Sequence, residues 1–492
     1  MDASQDLYAI LGTKADASQD DIRAAYRTLA RRLHPDANPN PGAAIQFREI
    51  AEAHETLGSP ENRRKYDNLR KRLAAEPNYF VTEVTSSKRV LPILGEPQVV
   101  YVLLQLTAHK DFQGQQKRVA PLNLALVLDR STSMKEGGRL DRVKVAAHQI
   151  IDQLGPADFL SLVSFSDRAE ALIKAEHVTE PTALKALVNL MTPGGGTEIF
   201  QGLEQGFELV EKNLKPDYVN HIILLTDGQT FDSELLSLDL ADRAAKIGIG
   251  ISAMGIGDEW NDAFLDSLAS KTGGTCAYIN SPGAVVKFLN ERVRSLGASF
   301  AERITVSIAP DPDVSVESAF KLIPAPQPIP SDEQPLHLGA LEASRSITLL
   351  LQLQMSKDLK EGPRSLIRLC VTGDILYPKR PGYQVVVDLP IQAAQHPEPE
   401  EPPRALLDAL GKLTLYRLQQ KAEEAIKVGN YAEATRQLEN FATRALAVGH
   451  EDLARTAMLE ANRVQTTKML SEEGRKTMKF STRMLLLPEG EG

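Results

Sequence analysis

The period of apolar positions changes along the chain, and each change marks a different kind of structure. In the amino-terminal stretch the period is helical. Ile22, Ala25, Tyr26, Leu29 and Leu33 form one stripe; Phe47, Ile50, Ala51, Ala53, His54 and Leu57 form a second. Ser18 ahead of Asp21 reads as a capping-box start, and HPDANPNPG from His34 to Gly42 breaks the pattern, because proline disfavours helix at and before its own position. Ser59-Pro60-Glu61 then reads as an N-cap with proline at the first helical position, opening a strongly basic helix. From Asn78 the pattern turns to strands, YFVTEV and then QVVYVLLQLTA from Gln98. Beyond Pro121, apolar strands at Leu122–Leu128, Phe159–Phe165, His221–Thr226, Gly250–Gly257 and Thr275–Ile279 alternate with amphipathic helices such as Arg139–Leu154 and Leu235–Ile247. Such alternation implies right-handed crossovers and a mostly parallel sheet covered on both faces. After Ala301 strands return without helices, as RITVSIA, SITLLLQLQ, LIRLCVTG and YQVVVDLP.

The expected fold class is therefore multidomain. An all-α hairpin domain occupies residues 1–72 and a doubly wound, Rossmann-like α/β domain residues 119–300. Strand-rich pieces at 78–118 and 301–392 read as one antiparallel β-sandwich into which the α/β domain is inserted; two independent small β domains would give the same pattern. HPEPEEPP, within a linker at 393–403, is extended and acidic. Residues 404–487 are helical: Leu406, Leu407, Leu410, Leu413, Leu418 and Ile426 line one helix that Gly429-Asn430 stops, a second runs from Tyr431 to Val448, and Glu451 opens a third. Their Ala-rich faces suggest a small bundle or a tetratricopeptide-like pair, although the full tetratricopeptide consensus does not fit.

Composition narrows the function classes. The chain has 492 residues, which predicts about three or four domains. Fifty-six Lys and Arg against 65 Asp and Glu leave a net charge of -9, which argues against a protein whose main work is gripping nucleic-acid phosphates. The pattern contains no apolar run of membrane-spanning length, and MDASQDLYAILG has no basic region followed by an apolar stretch, so a cytoplasmic protein is expected. Two cysteines, Cys276 and Cys370, fall in different expected domains and exclude a disulfide framework or a Cys-rich zinc site.

His34-Pro35-Asp36 gains meaning from its setting. DLYAILG precedes it, a helix with surface arginines leads into it, and FREIAEAHETLGSPENRRKYD follows. Residues 5 to 70 resemble the J-domain of DnaJ-type co-chaperones. Tyr8 and Leu11 match the first-helix core; Phe47, Ile50, Ala53 and Leu57 match the third helix. Arg63, Arg64, Lys65, Tyr66 and Asp67 match the opening of the fourth. Ala37 stands where lysine often follows the motif, and His54 where tyrosine is common. The resemblance implies docking on a DnaK-type heat-shock chaperone and stimulation of its ATPase. Arg23, Arg27 and Arg31 recur every fourth position and share a helix face with Arg32 beside it, suited to steering toward an acidic partner. With His34, Pro35 and Asp36 they make the expected chaperone-binding set; the plainer reading of such arginines is a solvated face beside a turn.

Three further loops carry oxygen ligands. Asp129-Arg130-Ser131-Thr132-Ser133 ends one expected strand, Gly194-Gly195-Gly196-Thr197 follows, and Leu224-Leu225-Thr226-Asp227-Gly228 ends another. In a parallel sheet, loops after the strands' carboxyl ends converge on one rim. Hydroxyls and carboxylates gathered there, with no His or Cys, favour a hard dication over zinc or copper. Asp129, Ser131, Ser133, Thr197 and Asp227 fill the DxSxS…T…D pattern, and residues 119 to 300 resemble von Willebrand factor A domains with their metal-ion-dependent adhesion site. Thr132 stands where that family usually has glycine. The resemblance implies Mg2+, with Mn2+ or Ca2+ as alternatives, held directly by hydroxyls and through water by at least one aspartate, and a partner protein's carboxylate as the last ligand. Helix-capping serines and turn-forming aspartates are the plainer alternative.

Nothing points to catalysis. A phosphohydrolase of this topology would want a second carboxylate where Ser131 stands, and no GxSxG, HExxH or GxxxxGK[ST] occurs. The chain is expected to be a non-enzymatic, modular co-chaperone. Alternatives are a scaffold whose A-domain pairs with a separate ATPase in metal-cofactor insertion and, more remotely, a Mg-dependent hydrolase. Trp260 is expected in a rim loop, packing at a helix start or touching a partner. Arg475, Lys476, Lys479 and Arg483, with Met478, Phe480 and Met484–Leu487, suggest a packed terminal helix or an amphipathic surface for membrane or partner.

Overall fold

The structure, a computed structural model, describes residues 5–73, 78–113, 120–229, 234–279 and 282–486. The first helices are α1 (Leu7–Ile10), α2 (Gln19–Leu33), α3 (Pro41–Leu57) and α4 (Pro60–Leu73), followed by strands β1 (Phe80–Ser86), β2 (Val90–Pro92) and β3 (Gln98–Ala108). Next come β4 (Leu122–Asp129), α5 (Arg139–Gln153), β5 (Phe159–Phe165), β6 (Ala169–His177), α6 (Pro181–Asn189), α7 (Ile199–Lys212) and β7 (Val219–Thr226). The α/β run ends with α8 (Glu234–Ile247), β8 (Gly250–Ile256), α9 (Asp262–Lys271), β9 (Cys276–Ile279) and α10 (Pro282–Gly297). Strands β10 (Ser299–Pro310), β11 (Val314–Ile323), β12 (Gln327–Ile329), β13 (Leu336–Glu342), β14 (Ile347–Met355), β15 (Gly362–Ile375) and β16 (Arg380–Ala394) follow. The chain closes with α11 (Arg404–Lys427), α12 (Tyr431–Ala447), α13 (Glu451–Thr467) and α14 (Glu472–Met484). The expected segments 1–4, 114–118 and Leu487 lie outside the described residues.

The chain divides into two compact units, one holding residues 1–120, 297–321 and 328–406, the other 121–296, 322–327 and 407–492. In the first unit, β3 pairs with both β1 and β14, so strands from before and after the α/β segment share one sheet. The sheets run β1-β3-β14-β11-β12 and β13-β10-β15-β16-β2. That settles the alternative left open by the strand pattern: there is one sandwich, with an insertion. Alternate residues of β3 (Val100, Val102, Leu104, Leu106) face Val306, Ile308, Leu369 and Val371 in its core.

The helical domain is bolted to this sandwich. Gln46, on α3, is buried and donates to Ser307 O at 3.1 Å and Arg368 O at 3.2 Å. Asn38 donates to Pro310 O at 2.8 Å, and Arg32 reaches Asp311 at 3.0 Å and Asp388 at 2.9 Å. Arg32 thus leaves the solvated face on which the sequence placed it. The break after His34 is also shorter than expected. Asn40 caps α3, accepting from Gly42 N at 2.9 Å, and Pro41 takes the first helical position, so Gly42 is already helical.

In the second unit the sheet order is β6-β5-β4-β7-β8-β9, all parallel except the β5–β6 edge. Every residue of β4 and β7 is buried, as expected of central strands covered on both faces. The carboxy-terminal helices share a core of Phe441, Leu438, Ala457, Val464 and Met478. Leu407, expected in the apolar stripe of α11, is exposed. Among the described residues no helix is long and apolar enough to cross a membrane.

Candidate metal centre and chaperone-facing surface

The end of α2 builds the first site. His34 takes an extended conformation at the helix C-cap, and its carbonyl accepts from Ala37 N at 2.9 Å and Asn38 N at 2.8 Å. Its Nδ1 accepts from Asp36 N at 3.2 Å, while the ring meets Phe47 edge-on at 5.3 Å between centroids. The turn is held from behind by Asn38, so His34, Pro35 and Asp36 all face solvent. Arg23, Arg27 and Arg31 are exposed along the same helix. His54, the departure noted above, stacks on Tyr26 at 4.1 Å between centroids and so supplies the flat ring its position calls for. The helix α4 fastens α1: the Tyr8 hydroxyl donates to Asp67 at 2.6 Å and Arg63 Nε donates to Tyr8 at 2.9 Å.

The second site gathers at the carboxyl ends of β4 and β7, adjacent parallel strands. Asp129 ends β4 and is fully buried. One of its oxygens accepts from Ser131 N at 2.7 Å, the other from the Thr226 hydroxyl at 2.7 Å. Burial pushes its carboxyl up to about 6 against those hydrogen bonds. Ser131 Oγ lies 3.0 Å from Ser133 Oγ, and both approach Asp227 Oδ1, at 3.5 Å and 2.7 Å. Thr197 comes in from its glycine-rich loop: a Cβ on Gly228, beside Asp227, would lie 3.0 Å from Thr197 Oγ1. All five residues named from sequence are therefore brought to one rim.

Two contacts there were not read from sequence. Thr132 donates from N at 3.1 Å and from its hydroxyl at 3.0 Å to Gly195 O, tying the serine loop to the threonine loop. Gly195 itself needs glycine, with φ at +88° and the Asp167 carboxylate 2.5 Å from where a Cβ would stand. Arg139, at the start of α5, donates to Asp227 Oδ2 at 2.8 Å. Among the described residues no three His, Cys, Asp or Glu side chains are placed to hold a metal ion. The donor set at this rim is instead hydroxyl-rich and all-oxygen, and that set fits a hard dication.

Trp260 is not a partner contact. It is 1% exposed, its indole donates to Gly257 O at 2.6 Å, and it packs on Phe480 of α14. Of the two expectations for this segment, helix α14 meets the first and is a packed helix: Arg475 pairs with Asp262 at 2.6 Å, Arg483 with Asp266 at 2.7 Å and Lys479 with both aspartates. Cys276 and Cys370 are free thiols in separate units.

These two sites and the folds under them define the class. Residues 6–67 match the DnaJ domain and residues 123–292 the von Willebrand factor type A domain, while residues 404–488 match the Sll0103-like C-terminal alpha-helical domain. The chain is a multidomain protein that carries a J-domain and a von Willebrand factor A domain. Among individual proteins it is similar to the uncharacterized protein sll0103 of Synechocystis, 29% identical over 389 residues, covering 75% of this chain and 90% of that one. The J-domain segment is 52% identical over 67 residues to the chaperone protein DnaJ of Lactiplantibacillus plantarum, covering 14% of this chain and only 18% of that chaperone. Two solved structures share the fold over 83% of this chain and 98% of their own at 16% identity. They are a von Willebrand factor type A protein from Catenulispora acidiphila, TM-score 0.64, and the ArnB paralog VWA2 from Sulfolobus acidocaldarius, TM-score 0.52.

Proposed function

We propose that the chain is a cytoplasmic co-chaperone that stimulates the ATPase of a DnaK-type chaperone through its J-domain and holds a second protein through a dication at the A-domain rim. The observation that carries the first half is the free His34-Pro35-Asp36 turn beside Arg23, Arg27 and Arg31, on a domain anchored elsewhere by Arg32, Asn38 and Gln46. A basic exposed face raises the encounter rate with an acidic partner. For the second half it is the convergence of the Ser131 and Ser133 hydroxyls on Asp227 above a buried Asp129.

A magnesium ion there would be held by the hydroxyls of Ser131, Ser133 and Thr197 and would supply an electrophilic position for a partner's carboxylate. Asp129, whose oxygens are already engaged by Ser131 N and Thr226, supports the serine loop instead of reaching outward. The chain itself carries out no bond-making step in this reading; the chaperone's ATPase supplies the work.

The test has two arms on the full chain. His34→Gln is expected to abolish stimulation of single-turnover ATP hydrolysis by a DnaK-type chaperone while leaving the melting temperature unchanged. Asp129→Ala and Thr197→Ala are expected to abolish Mn2+ uptake measured by calorimetry. Full stimulation by His34→Gln, or equal Mn2+ uptake by the alanine variants, would refute the corresponding half.

A further inference from the structure

A cation already stands at the proposed metal centre. Arg139 Nη1 donates to Asp227 Oδ2 at 2.8 Å, in a pair whose arginine side chain is 24% exposed and whose aspartate side chain is fully covered. The other oxygen of Asp227 accepts from Ser133 at 2.7 Å. The carboxylate is therefore shared, one oxygen turned to the serine hydroxyls and one to the guanidinium. The guanidinium is confined from its far side as well: a Cβ on Gly257 would stand 3.0 Å from Arg139 Nη2. Arg139 is thus packed between the end of β7 and the loop after β8.

The charge arithmetic of the rim follows. Asp129 and Asp227 together neutralise a dication, so a centre built from them alone would be neutral when loaded and would have little preference for an anion. Arg139 adds one positive charge beside the ion. It repels the dication and attracts whatever anion completes its coordination. We propose that Arg139 sets the charge of the loaded centre: it loosens the grip on the dication and makes the centre select a carboxylate-bearing ligand over a neutral oxygen donor. This rests on the metal reading above and adds to it a residue outside the five-residue pattern.

The experiment uses the full chain with Mn2+ alone as the first probe, titrated at neutral pH and followed by calorimetry and by the spin-resonance signal of free Mn2+. Acetate, titrated into Mn2+-loaded protein and followed by water-proton relaxation, is the second probe. Arg139→Gln keeps a donor for Asp227 but removes the charge; it is expected to tighten Mn2+ binding about tenfold and to weaken acetate binding several-fold. Arg139→Lys keeps the charge and is expected to stay near wild type in both. Should the glutamine variant fail to reproduce the wild-type near-ultraviolet spectrum, Arg139→Met tests the same charge. Mn2+ binding that is unchanged or weaker in the charge-free variant would overturn the inference and leave Arg139 as a prop for Asp227. A wild-type chain that takes up no Mn2+ would overturn both this inference and the metal reading, an outcome seen before any variant is made.

Discussion

At the scale of single residues, what the sequence showed and what it hid depended on how far away each partner lies. Asp129, Ser131 and Ser133 alternate within one short loop, so their gathering at one place could be read from the sequence. Thr132 and Arg139 act on Gly195 and Asp227, partners that only the sheet's strand order brings near, so nothing in their own neighbourhood marks them. Gly42 is hidden in the same way. It looked like part of a proline-rich turn, yet it is where α3 touches β10. A Cβ there would lie 2.0 Å from Ile308 O and 2.7 Å from its carbonyl carbon, and β10 is held between β13 and β15, so the backbone has no room to yield. Gly42→Val should therefore cost about 3 kcal/mol, the scale of overpacking, and raise hydrogen exchange along α3 and β10. ATPase stimulation should persist, because His34 and the arginine face are not part of this contact. An unchanged melt would show that the helix rides over the strand without penalty.

At the scale of elements, strands with a continuous apolar run were legible, the edge strands β1 and β9 among them, and β6 and β11 to β13 were not. β6 reads AEALIKAEH, a mixed-polarity sequence that suits a partly exposed edge, and β11 to β13 are interrupted by proline-rich turns. Helix α14 was legible as amphipathic, but its basic residues proved to be inward. Arg483 meets Asp266 through two hydrogen bonds of 2.7 Å, and Arg475 meets Asp262. Burial alone would raise both aspartates, but the hydrogen bonds and charges of Arg475, Lys479 and Arg483 outweigh it and hold them below the ordinary carboxylate range. A carboxyl depressed in the folded state contributes stability that is complete above its unfolded value and is lost as pH falls through the folded one. Docking of α14 should thus weaken below about pH 4. Glu423, raised by burial despite Arg475 and Lys479, works in the opposite direction and offsets part of the loss. Trp260, the only tryptophan, reports on this contact because it packs on Phe480. Its emission should shift to the red on acidification, and Asp266→Asn, which strands the buried Arg483, should cost about 3 to 5 kcal/mol and produce the shift at neutral pH. A variant that melts like wild type would mean that Phe480 and Met478 hold the helix without help from charge.

At the scale of the whole molecule, the strand pattern read as an insertion into one sandwich, but the pattern alone did not separate that from two independent β domains. A strand's partner is set by register and core contacts, and the pairing of β3 with β14 joins segments separated by the entire α/β domain. Two independent β domains would have required each piece to cover its own apolar face; instead Val102 and Leu104 from one piece and Leu349 and Leu351 from the other share a core. The same economy bears on function. A J-domain joined to the rest only by a flexible segment would present its motif in any direction. Here Gln46, Asn38 and Arg32 fix it on the sandwich through buried hydrogen bonds and ion pairs, while His34 and the arginines remain exposed. Helix α14 is likewise joined to the A-domain by buried pairs to α9. Each proposed binding surface therefore sits on a body larger than its own domain, J-domain with sandwich and A-domain with helical tail, so the orientation of each surface within its unit is set by packing and not by the length of a linker.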